Sequence, residues 1–101
     1  MTTGATRKNV RTRDFKSQYS RLPERIRRLA VAAFELFRAN PAHPSLRLHD
    51  LGDNQRGRHR EGSYSVSINM QYRAIYVVDG DRNVWYWIGT HGDHDAFTGK
   101  K

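Results

Sequence analysis

The chain has 101 residues, no cysteine, and a formal net charge of +8 from 18 basic against 10 acidic side chains. That length builds a single domain around one core, and the lack of cysteine excludes disulfide frameworks and thiolate-ligated metals. Fourteen of the basic residues are arginine, whose planar fork suits bidentate phosphate contacts, so an anionic partner, nucleic acid first, is expected.

Residues 1–9, MTTGATRKN, are polar and aperiodic and predict a loose arm ahead of a domain spanning 10–101. The segment lacks the apolar core of a secretory signal, and no later run is long enough to span a bilayer. A cytoplasmic protein without a membrane partner is expected. From Val10 through Phe15 and Tyr19 the pattern allows a short strand or a first helix. In LPERIRRLAVAAFELFRAN, Leu22, Ile26, Leu29, Ala30, Ala33, Phe34 and Phe37 follow the three-or-four step of one helical face. Pro23 suits the first turn and Asn40-Pro41 stops the helix. Arg25, Arg28, Glu35 and Arg38 mark its solvent side.

After PAHPS the period changes from 3.6 to 2. LRLHDL, residues 46–51, predicts a short strand. In SYSVSINM, Tyr64, Val66, Ile68 and Met70 alternate with Ser63, Ser65, Ser67 and Asn69, the pattern of a half-buried strand with one wet face. YRAIYVV and NVWYWIG are β-branched and aromatic on both faces, as inner strands are. They are joined by the turn Asp79-Gly80-Asp81-Arg82. Links this short permit only an antiparallel meander. The prediction is an α+β domain with two N-terminal helices packed on one face of a small, mainly antiparallel twisted sheet.

Between two strands lies GDNQRGRHREG, residues 52–62, with Arg56, Arg58, His59 and Arg60. A loop this long and basic fits a nucleic-acid contact or a solvated hairpin tip. Both readings stay open. Near the end, WYWIGTHGDHDAF carries His91 and His94. A metal centre there would draw on His91, His94 and Asp95, with Asp93 and His49 in reserve, but such spacing is common by chance. No metal or cofactor is expected.

From about Phe15 to Phe97 the chain resembles the RelE/ParE superfamily of type II toxins. The resemblance rests on NPAHPSLRLHDL, GSYSVSINMQYRAIYVV with its Tyr-Arg pair, and WYWIGTHGDHDAF. It implies a metal-independent endoribonuclease that cuts messenger RNA on the ribosome, with a cognate antitoxin as partner. In that chemistry the 2′-hydroxyl attacks its own phosphate, which needs a base, a cation at the phosphate and an acid at the leaving oxygen. Arg73 stands at the Tyr-Arg position and is the phosphate candidate, with strand parity opposite to Tyr72, Ala74 and Tyr76. His91 is the proton-transfer candidate, since imidazole titrates near neutral pH.

Two departures qualify the resemblance. His94 stands where many relatives carry tyrosine, in the pattern Gly-Thr-His-x-x-Tyr-Asp, and is a third catalytic candidate. Ser67 stands where ribonuclease members often carry arginine, so Arg56, Arg58 or Arg60 would have to supply the missing RNA-binding cation. Two rival readings follow. One is a ParE-like toxin acting on DNA gyrase without an RNA-cleaving site; the other is a non-catalytic RNA-binding module that stacks bases on Tyr64, Tyr72, Tyr76, Trp85 and Trp87. Core-like spacing predicts that most of those aromatics are buried.

Overall fold

The computed structural model describes residues 7–52 and 56–99. Its elements in chain order are β1 Lys8–Arg11, α1 Arg13–Ser20, α2 Glu24–Ala39, β2 His49–Asp50, β3 Ser63–Ser67, β4 Tyr72–Asp79, β5 Arg82–Thr90 and α3 His91–Thr98. The five strands form one sheet in the order β1-β5-β4-β3-β2. β2 to β5 are an antiparallel meander, and β1 adds to the outer edge of β5 in parallel. The architecture is α+β, with α1 and α2 on one face of the sheet, as the patterning predicts.

That face holds the main core. Phe15 from α1 and Ala30, Ala33 and Phe37 from α2 pack on Val66, Ala74, Tyr76, Trp85 and Ile88. Three aromatic rings form its centre, with Phe37 5.1 Å from Trp85 and 5.3 Å from Tyr76, both edge to face. Such contacts stabilise beyond the area they bury. Alanines at the α2 positions nearest the strands leave room for these large rings. Tyr76, Trp85 and Trp87 are buried, as their spacing predicts.

Four features depart from the sequence-based expectations. First, Lys8 and Asn9 of the expected arm belong to β1, while residues 1–6 lie outside the described residues. No periodicity in KNVR announces a strand; distant partners hold it. The Asn9 Oδ1 accepts from Trp85 Nε1 at 2.9 Å and Asn83 Nδ2 at 3.2 Å. Beyond β1, the Gln18 side chain accepts from the Ile88 N–H at 3.0 Å, so this stretch of β5 edge is also paired.

Second, LRLHDL is mostly not a strand. Pro44–Leu46 form a 3-10 turn, and only His49 and Asp50 pair with β3. His43 Nδ1 accepts from the Ser45 N–H at 3.2 Å and caps the turn. Arg47 then takes a left-handed conformation with φ 47° and ψ 44°, which breaks any extended run.

Third, the serine side of β3 is dry. Ser63, Ser65 and Ser67 are 0%, 0% and 5% exposed, because a second layer covers them. Fourth, that layer is α3 with residues 56–60, where WYWIGTHGDHDAF continues into a helix. Thr90 caps α3 by accepting from the Asp93 N–H at 3.1 Å, and Gly99 closes it with φ 79°. A β-bulge between Ile75 and Tyr76 places Trp85 opposite Tyr76 and Trp87 opposite Ile75, leaving Tyr86 as the extra residue. Trp87 then stacks on Phe97 at 5.4 Å, while Tyr86 meets Phe97 at 6.3 Å. The loop crosses the end of α3 very closely. A Cβ on Gly57 would lie 2.5 Å from the Thr98 carbonyl carbon, so this approach requires glycine.

Candidate functional site

The C-terminal half of α2, the turn at Ser45–Arg47, the loop after β3 and the first residue of α3 meet at one end of the sheet. Between them lies a cleft of about 490 Å³ lined by Leu36, Ser45, Arg47, Ser67, Asn69, Met70, Arg73 and His91, among others. Arg73 and His91, the candidates that the family resemblance implies, therefore share one surface. Arg73 pairs across the ladder with Ser67 on one side and Gly89 on the other. No carboxylate pairs with it among the described residues.

His91 is the first residue of α3, and its backbone N–H donates to the Gln71 carbonyl at 2.7 Å. That bond ties the start of the helix to the loop on the opposite wall of the cleft. One turn on, Asp95 Oδ2 lies 3.4 Å from His91 Nε2. The i,i+4 spacing on a helix places this carboxylate beside the imidazole. From there it can orient the ring. The side chain of His91 is 45% exposed, which leaves it open to a substrate.

His94 lies behind this surface rather than on it. It is 2% exposed, its Nε2 is 2.9 Å from Ser65 Oγ, and its ring meets Trp87 edge to face at 5.8 Å. Burial first, then the positive charge of Arg73 and more weakly His49, hold its pKa down at about 4 against an upward pull from Asp95. At neutral pH it is an uncharged ring locked under α3. Where it stands it cannot touch a phosphate. Its Nδ1 lies 3.7 Å from Asp95 Oδ1, too long for a good hydrogen bond. Asp95 therefore sits between the exposed and the buried histidine. His91, His94 and Asp95 are adjacent, but among the described residues no three potential ligands are grouped to hold a metal ion.

Arg56, Arg58 and Arg60 do not line the cleft. The Arg60 N–H donates to Tyr86 Oη at 2.8 Å, and Tyr86 Oη is 2.6 Å from Ser63 Oγ. Ser63 and Ser67 are the two ends of β3, about 13 Å apart at strand rise. The Arg58 guanidinium lies 6.0 Å from the Phe97 ring centre and that of Arg60 5.5 Å from Tyr86. With Arg56, which is also exposed, they form a separate basic edge beside the end of α3. The cation that sequence reasoning missed is Arg47. Its arginine-rich context hides it, and only the backbone turn after Pro44 brings it to the cleft wall.

Two helices before an antiparallel meander, a parallel first strand and a helix after the last strand define the fold of RelE/ParE-like toxins. YafQ from E. coli strain BL21(DE3) superposes with a TM-score of 0.68 at 14% identity, over 87% of this chain and 97% of that one. The archaeal RelE–RelB complex from Pyrococcus horikoshii OT3 gives 0.64 at 14% identity, over 86% and 97%. A YoeB/ParE toxin from Agrobacterium tumefaciens gives 0.63 at 18% identity, over 83% and 98%. No family model and no curated protein matches the sequence. The likeness is one of fold. No helix among the described residues is long and apolar enough to cross a membrane.

Proposed function

We propose that the protein is the toxin of a type II toxin–antitoxin pair and that it cuts messenger RNA on the ribosome. The observation that carries this reading is the Arg73 guanidinium, which no carboxylate among the described residues pairs with, in one cleft with His91, whose imidazole is backed by Asp95. Arg73 binds the scissile phosphate and stabilises the charge that grows on its oxygens. The 2′-hydroxyl gives up its proton and attacks the adjacent phosphorus, and the bond to the 5′-oxygen breaks. The products are a 2′,3′-cyclic phosphate and a 5′-hydroxyl. His91 transfers a proton in this step, and Asp95 holds its ring in place. His94 supports the site from below by packing α3 on Trp87 and β3. Arg56, Arg58 and Arg60 contribute sequence-independent contacts to RNA backbone at the far edge. A cognate antitoxin neutralises the protein by covering its basic surface.

One observation favours a second reading. Ser67 is buried and uncharged beside Arg73, so the strand supplies a single cation, as a gyrase-directed toxin without a nuclease site would allow. Expression of wild type, Arg73→Ala and His91→Ala in bacteria, with growth and messenger RNA cleavage followed together, separates the two. The nuclease reading expects growth arrest with cleavage, and a loss of about 100- to 1,000-fold in cleavage for either substitution. Arrest by wild type without any RNA cleavage would sink it in favour of the gyrase target.

A further inference from the structure

Arg47 is the only described non-glycine residue with positive φ. The chain places glycine at every other described position of this kind, Gly52, Gly62, Gly80 and Gly99. A side chain in the left-handed region is unfavourable, and it persists where the surroundings impose it and the side chain is needed. The surroundings are clear. The Arg47 N–H donates to the Pro44 carbonyl at 3.2 Å, closing the 3-10 turn. The Arg47 carbonyl accepts from His49 Nδ1 at 3.1 Å. Both backbone groups are engaged, while the side chain is exposed and meets no carboxylate among the described residues.

Arg47 stands on the same cleft wall as Ser45, facing the space shared with Arg73 and His91. Among the described residues, no other lysine or arginine lines that cleft. A pentacoordinate phosphate carries more negative charge than the diester from which it forms, and Ser67 offers no positive charge to balance it. A second guanidinium there would hold the phosphate bidentately from the side opposite the strands. We propose that Arg47 is the second phosphate-binding residue of the cleft, held there in a left-handed backbone that glycine would otherwise occupy. The proposal rests on the RNA-cleaving reading above.

The test exploits the opposed demands of backbone and side chain. Arg47→Gly removes the guanidinium and relieves the left-handed strain, so its melting temperature should match or exceed that of wild type, by up to about 4 °C. Its messenger RNA cleavage should fall by about 30- to 1,000-fold. Arg47→Asn tolerates the same backbone without the charge and should lose cleavage alike, whereas Arg47→Lys should recover part of it. Arg25→Ala, on the solvent side of α2, controls for the loss of one positive charge and should cleave as wild type does. If wild type cleaves and Arg47→Gly cleaves equally well, Arg47 is not a phosphate ligand and the nuclease reading stands. If Arg47→Gly loses cleavage together with stability, the side chain is structural and the proposal fails. If wild type cleaves no RNA, both fall together.

Discussion

The two faces of the sheet are built from different chemistry. Against α1 and α2 lie Phe37, Tyr76, Trp85 and Ile88, which are held by burial and shape. Under α3 lie Ser63, Ser65 and Tyr86 of the sheet and His94 of the helix itself, joined by hydrogen bonds such as the 2.9 Å contact between Ser65 and His94 and the 2.6 Å contact between Ser63 and Tyr86. The first face supplies the stability of the domain. The second gives up part of that apolar burial to keep polar, titratable groups in place behind Arg73 and His91. Buried polar pairs of this kind specify geometry more than they stabilise it, because each bond offsets a desolvation cost of similar size.

The contrast can be broken at either face. Phe37→Ala empties the centre of the aromatic cluster and should cost about 3 to 5 kcal/mol, measured by chemical denaturation, with the same loss at pH 5 as at pH 7. A loss that varied with pH would mean that the two faces are energetically coupled.

On the α3 face the expected dependence runs through His94. Its folded pKa of about 4 lies below the ordinary imidazole value of 6.5, so the unfolded chain binds the proton more tightly. The stabilising effect of the neutral ring is complete above about pH 6.5 and is lost as the pH falls toward about 4. The shift corresponds to about 3 kcal/mol over that window. His94→Gln removes the titration and should flatten the stability profile between those pH values, even though its stability at pH 7 is lower. An unchanged slope would place the acid sensitivity elsewhere.

The smallest effect expected is at the helix start. Thr90→Ala removes the cap on the Asp93 N–H and should cost about 1 kcal/mol. Because His91 follows directly, cleavage should fall more than the small stability loss explains, a split that thermal melts and activity assays on the same samples would show.

Much of the first face is legible in the sequence, since it obeys simple periods. The 3.6-residue repeat from Leu22 to Phe37 and the apolar runs of β4 and β5 leave little choice of element. The second face is not, for a physical reason. Alternating serines have the same pattern whether they face water or a polar layer, and nothing within SYSVS says that α3 returns to cover it. The helix itself had one local sign, Thr90 with Asp93 three residues on, but Gly92 and the aspartates are weak helix formers. Parity was enough to separate Arg73 from Tyr72, Ala74 and Tyr76. Arg47 escaped because its position depends on a left-handed backbone that no period encodes. The sequence alone offers the arginines of residues 56–60 as cleft cations, because linear order does not show which end of β3 a loop approaches.

The side chains of Asn9 and Asn83 are bonded across a sequence separation of 74 residues. β1 is thus completed by β5, and that sheet edge cannot close until both strands have been made. Loop closure over such a span is slow compared with formation of the meander. A chain cut short before β5 would lack the partner of β1, the packing surface of α3 and His91 itself. Such a product keeps Arg47 and Arg73 but has neither His91 nor the frame that brings the three together.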